Sequence, residues 1–339
     1  MMEEMVMINI GVIGAGRIGR IHAQSIQEKV QGAQVKTIAD VFEESAKKAA
    51  EEFKIPNYTG DYMEILNDPE IDAVIICSST DTHSKISIEA AERGKHIFCE
   101  KPIDYDVAKI EKTLEAVKKA GVKYQVGFNR RFDHNFAKLK ELIEEGKIGN
   151  PHIIKITSRD PQAPPIEYVK VSGGMFLDMT IHDFDMAAFL SGSRISEVYV
   201  QGACMVNPEI GEAGDVDTAI ISLKFENGCI GVIDNSREAA YGYDQRVEVF
   251  GGKGYVMADN DSDTTVTIAS VDGIVGEKPK YFFLERYMDA YVNEMQQFIN
   301  CLVNDTEVPV GANEGLYSVL VGLAATKSLK EGRPVKIEY

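Results

Sequence analysis

Along the first 127 residues, short unbroken runs of apolar positions alternate with longer stretches in which apolar residues recur every three or four places. The short runs at 8–13, 35–39, 73–77, 96–99 and 123–126 read as strands buried on both faces. Between them, 17–29, 43–53, 62–67, a stretch opening at 78–83 and running to 93, and 107–120 predict helices. Strands and helices in alternation are the signature of a parallel sheet covered by helices. Residues 1–127 therefore read as a doubly wound α/β domain of Rossmann type.

The texture changes after Gly127. A charged helix ends at Gly146, and longer strands are predicted at 152–159, 197–202, 218–225, 229–235 and 245–250. They suggest a large, mostly antiparallel open sheet with one face packed on helices. A helix is expected over 178–190, and helices at 284–302 and 313–329 close the chain. Residues 128–339 thus form an α+β domain, and 339 residues suit two domains of ordinary size.

Composition adds exclusions. With 36 Lys and Arg against 53 Asp and Glu, the net charge of −17 argues against a nucleic-acid or anionic-membrane surface. The five cysteines are scattered and form no C-x-x-C pair, so neither a disulfide framework nor a thiolate zinc site is indicated. A reducing cytoplasm is the expected location. Residues 1–7 carry two glutamates and no basic segment, and no apolar run has the length of a bilayer crossing, so a soluble, unexported protein is expected.

Candidate chemistry begins at Gly14-Ala15-Gly16-Arg17-Ile18-Gly19, directly after the first strand. In such a turn Gly14 takes a geometry forbidden to side chains, Gly16 lets the main chain approach a pyrophosphate, and Gly19 lets the helix sit against the strand. A purely structural turn is the alternative. The second strand ends in Asp40, near the distance expected for a carboxylate on the adenosine ribose. It would repel a 2′-phosphate, and Val41 and Phe42 offer no replacing cation, so NAD is favoured over NADP. The polar turn containing Ser78, Thr80 and His83 could line the nicotinamide side or simply cap its helix. The strand at 96–99 delivers Glu100-Lys101-Pro102 at its carboxyl end, where ligands of open α/β sheets bind. Lys101 is either set to touch substrate or an ordinary surface lysine.

In the second domain, a helix over 178–190 would place Asp178 and His182 four apart on one face. A carboxylate beside an imidazole suits general-base removal of a hydroxyl proton. Helix capping, or a metal held with Asp183 or Asp185, are the competing readings.

With these residues in view, the chain resembles the glucose–fructose oxidoreductase, inositol dehydrogenase and rhizopine catabolism (Gfo/Idh/MocA) family across essentially its whole length. The resemblance rests on the glycine turn, on Glu100-Lys101-Pro102, on Gly127-Phe128-Asn129-Arg130-Arg131-Phe132-Asp133, and on the stretch from Gly173 to Asp185. The segment after Gly127 and Ser158-Arg159-Asp160-Pro161 point to its inositol branch. The resemblance implies NAD as cofactor, contacted by Gly14, Gly16, Arg17, Ile18, Gly19, Asp40, Ser78, Thr80, His83, Glu100 and Lys101. It implies Lys101, Asp178 and His182 as catalytic residues, with His182 the base; no metal is expected, because no second cluster of ligands stands near them in the sequence. Arg130, Asp160, Asp178, His182 and Tyr287 are implied as contacts to a polyol substrate. A homotetramer formed through the open sheet is also implied. The expected reaction is hydride transfer from a ring carbon of myo-inositol to NAD, giving a keto-inositol. A scyllo-inositol or sugar dehydrogenase is the neighbouring alternative, and a non-catalytic dinucleotide-sensing regulator the alternative of another class.

Overall fold

The structure, a computed structural model, describes residues 7–339. Most of the leading segment discussed above, residues 1–6, lies outside them. The chain divides into two compact units, Met1–Phe132 with Asp289–Leu316, and Asp133–Met288 with Tyr317–Tyr339. This differs from a single division after Gly127, because a late segment returns to the first unit.

The first unit contains strands β1 (Ile8–Ile13), β2 (Ala33–Ala39), β3 (Asn57–Thr59), β4 (Ala73–Ile76), β5 (His96–Glu100) and β6 (Tyr124–Gly127). They form one parallel sheet in the order β3-β2-β1-β4-β5-β6. The chain winds outward from β1 to β3, then restarts at β4 on the other side of β1. A crevice opens at such a reversal, outside the carboxyl ends of the strands. The apolar runs are buried on both faces, as their lack of alternation requires: Ile10, Val12, Ile75 and Phe98 are fully covered. Met295, Phe298 and Ile299, from the helix Met288–Val303, join the same core. Val126 N–H further bonds the Val310 carbonyl at 3.0 Å. The amphipathic stripe of that helix shows that it packs, but not against which sheet.

The second unit holds β7 (Pro151–Arg159), β8 (Ile195–Ala203), β9 (Thr218–Phe225), β10 (Ile230–Ser236), β11 (Asp244–Gly251), β12 (Gly254–Ala258), the hairpin β13 (Thr267–Ser270) and β14 (Gly273–Gly276), and β15 (Val335–Lys336). Its main sheet runs β12-β11-β7-β10-β9-β8-β15, antiparallel except for β7 against β10. In β9, Ala219, Ile221, Leu223 and Phe225 are buried while Ile220, Ser222 and Lys224 are exposed. That alternation is the one-faced pattern expected of an open sheet. Strands β3, β12, β13, β14 and β15 have no counterpart in the sequence reading; each is short and most are solvated.

The helix expected over 178–190 is broken. A single turn, Met175–Asp178, is followed by a separate helix, Ile181–Ser191. At the join, Thr180 N–H reaches five residues back to the Met175 carbonyl, and His182 N–H only three back to Met179. The regular four-residue ladder that would align Asp178 with His182 is therefore interrupted. Thr180 is also drawn aside by its hydroxyl, which donates to Asn235 Oδ1 at 2.7 Å.

Candidate active site

In the first unit, Gly14 has φ +104°, and a Cβ there would fall 2.5 Å from the Cys77 carbonyl oxygen. A Cβ on Gly19 would lie 1.8 Å from the Gly14 carbonyl oxygen, so only glycine lets the helix meet the turn so closely. Gly16 differs: nothing lies within 4 Å of its Cβ position. No side chain caps the helix Arg17–Glu28 that follows. Amides at a helix start that no side chain consumes, beside open space, fit a pyrophosphate.

These contrasts predict opposite costs for two similar substitutions. Gly16→Ala should leave thermal stability near wild type and weaken NAD binding, whereas Gly19→Ala should lower the melting temperature outright. Thermal melts with and without NAD check both.

Asp40 follows β2. One of its oxygens accepts from Ala15 N–H at 2.7 Å and the other from Phe42 N–H at 2.9 Å. The carboxylate is thereby fixed against the glycine turn. Each oxygen keeps a lone pair for a ribose hydroxyl. Val41 and Phe42 are largely exposed and, as expected, bring no cation.

The Ser78 turn is organised by hydroxyls. Ser78 Oγ and Thr82 Oγ1 are 2.7 Å apart, and Thr82 donates to the Ser79 carbonyl at 2.7 Å. Thr80 opens the helix Thr80–Glu92, which no side chain caps.

His83, expected among the cofactor contacts, instead faces inward. It is 2% exposed, with Nδ1 2.8 Å from the Pro102 carbonyl and Nε2 2.9 Å from the Ser78 carbonyl. Both ring nitrogens are used, so none is left for a cofactor. A neutral imidazole could donate to only one of these carbonyls. The pKa is accordingly pushed up to about 9: burial works against the charge, and the Cys99 sulfur with the two carbonyls outweighs it.

A raised pKa makes His83 stabilising below its ordinary 6.5, with that contribution lost as pH climbs through about 9. Wild type should therefore lose more stability over that interval than His83→Gln does. Parallel melts across the interval would refute this if the two curves kept a constant gap.

Glu100 ends β5 with its carboxylate 2.8 Å from His22 Nε2. A Cβ on Gly127 would come within 2.9 Å of that carboxylate, so the glycine makes room for it. Lys101 follows, half-buried, at a cis Lys101–Pro102 peptide. Arg130 is buried in the short turn Asn129–Phe132.

In the second unit, Asp178 and Asp160 come together around a residue that the sequence did not single out. Arg237 Nη2 lies 3.1 Å from Asp178 Oδ2, and its Nη1 3.4 Å from Asp160 Oδ2. Tyr168 donates to the other Asp178 oxygen at 2.8 Å. His182 is partly exposed, with Nδ1 turned away from solvent. Asp183 is buried and accepts from Asn235 Nδ2 at 2.9 Å. Among the described residues, no three His, Cys, Asp or Glu side chains converge as metal ligands would. Tyr287 lies in the interior, 1% exposed, its ring against Tyr243 and its hydroxyl 3.4 Å from Gln245 Oε1.

Comparison with known proteins bears on the family and the fold. Residues 8–128 match the model of the oxidoreductase family's NAD-binding Rossmann fold, and 140–337 that of its C-terminal alpha/beta domain. The chain is 49% identical to the myo-inositol 2-dehydrogenase of Thermotoga maritima, covering 98% of this chain and 99% of that one. It is 38% identical to a scyllo-inositol 2-dehydrogenase (NAD(+)) of Bacillus subtilis, covering 98% and 96%. The crystal structure of a myo-inositol dehydrogenase from Corynebacterium glutamicum superposes with a TM-score of 0.93 at 37% identity, covering 98% and 100%. With both family models and the two-unit fold in agreement, the chain belongs to the Gfo/Idh/MocA family of NAD-dependent oxidoreductases.

Proposed function

We propose that this protein oxidises a ring hydroxyl of myo-inositol, the axial one, to the ketone. The observation that carries the reading is the 49% identity, over nearly the full length of both chains, to a myo-inositol 2-dehydrogenase. The open glycine turn and the fixed Asp40 support NAD as partner. When bound, NAD supplies the acceptor for the hydride leaving the carbinol carbon.

The chain's own residues do the rest. His182 takes the hydroxyl proton, the role an imidazole fills well near neutral pH. The Lys101 ammonium stabilises negative charge growing on that oxygen. Asp178, already oriented by Tyr168 and Arg237, accepts hydrogen bonds from substrate hydroxyls, and Asp160 does the same. Arg130 and Tyr287 are further proposed polyol contacts.

A homotetramer in the cytoplasm is part of the same reading. The solvent-facing side of the seven-stranded sheet supports it, since Ile220, Ile230, Phe250, Tyr255 and Met257 are exposed there. Oxidation of scyllo-inositol is the second reading, supported by the 38% relative. Nuclear magnetic resonance of the product from myo-inositol tests the first: a single keto-inositol is expected. Unchanged myo-inositol, with scyllo-inositol consumed under the same conditions, would favour the second.

A further inference from the structure

We infer that Arg237 is a positioning residue that holds Asp160 and Asp178 side by side as paired ionised acceptors for neighbouring hydroxyls of a neutral polyol. The inference deepens the functional reading above and rests on it for the substrate class.

The placement follows from strand register. Strands β7 and β10 run parallel with Arg159 opposite Ser236, so their next residues, Asp160 and Arg237, leave the sheet at the same level. Asp160 N–H bonds the Ser236 carbonyl at 2.9 Å, and Arg237 N–H bonds the Asp217 carbonyl at 2.8 Å. Asp178 arrives from elsewhere, at the end of the one-turn helix Met175–Asp178. That helix is anchored by a third carboxylate, Asp215, which accepts from Met175 N–H at 3.0 Å. Three elements thus bring two carboxylates to one guanidinium.

The electrostatics explain why a cation must stand there. Asp160 and Asp178 side chains are only 17% and 12% exposed, and Asp215 also acts on Arg237. Two carboxylates crowded together out of water would share a proton, one of them becoming a donor. Arginine stays charged at any working pH and offers separate nitrogens to the two partners. With Arg237 present, Asp160 and Asp178 can both remain acceptors, the complement of adjacent hydroxyl donors. Arg237 does not itself serve as an anion site: it is 4% exposed and both Nη atoms already face carboxylates.

The experiment compares wild type with Arg237→Ala, Arg237→Gln and Arg237→Lys in steady-state oxidation of myo-inositol. NAD affinity is measured alongside, with difference infrared spectra of protein carrying carboxyl-labelled aspartate. Arg237→Ala and Arg237→Gln should lose about 10²-fold in kcat/KM, with NAD affinity unchanged. Arg237→Lys should keep part of the activity, and added guanidinium should restore part of it to Arg237→Ala. The infrared spectrum of Arg237→Gln should show a protonated carboxyl at neutral pH that wild type lacks. That band needs no substrate, so it tests the pairing even if myo-inositol proves to be the wrong polyol. Unchanged infrared spectra, or kcat/KM near wild type in folded Arg237→Gln, would overturn the inference. A loss accompanied by weakened NAD binding and no guanidinium rescue would assign Arg237 a structural role instead.

Discussion

Replacing His182 with asparagine should lower kcat for polyol oxidation by about 10² to 10⁴, the usual contribution of a positioned general base. NAD affinity should stay near wild type, because the glycine turn, Asp40 and the Ser78 turn all belong to the first unit and His182 to the second. Asparagine preserves polarity and approximate size but cannot accept a proton near neutral pH. Residual activity should rise at high pH, where hydroxide can do the work of the base. The check is a kcat profile against pH for both proteins with a fluorescence titration of NAD. Turnover close to wild type at neutral pH would remove His182 from its role.

Lys101→Met should cost about 10² to 10³ in kcat, the size of effect seen when one donor to a developing oxyanion is removed. KM should change less, since the charge that this ammonium stabilises grows only as the reaction proceeds. Lys101→Arg should recover little, because a planar guanidinium does not occupy the place of a compact ammonium. Steady-state kinetics of the two variants separate these outcomes. Full activity in Lys101→Met would leave Lys101 as an ordinary surface lysine, the alternative that its sequence position allowed.

The parts legible in the sequence were those under backbone constraint. Gly14 and Gly19 announce the turn because no side chain fits there, and the unbroken apolar runs announce a sheet covered on both faces. What stayed hidden depends on contacts across the fold. The break between Asp178 and His182 carries no glycine or proline; it lies where Asn235, on β10, accepts the Thr180 hydroxyl. His83 sits on a helix whose apolar stripe is weak, so its inward aim toward Pro102 and Ser78 could not be told from an outward one. Arg237 is a lone arginine beside Glu238 in a polar segment, and only the pairing of β7 with β10 reveals what it faces. The helix Met288–Val303 shows that it must pack without showing which core receives it.

Initial rates of nicotinamide reduction by the purified protein, with myo-inositol, scyllo-inositol and glucose each offered with NAD and with NADP, decide whether it is an NAD-dependent myo-inositol dehydrogenase. The highest kcat/KM is expected for myo-inositol with NAD, together with a marked preference for NAD over NADP that Asp40→Ala erodes. Absence of reduction with every polyol, in protein that binds NAD tightly, would exclude polyol oxidation and favour a dinucleotide-sensing regulator.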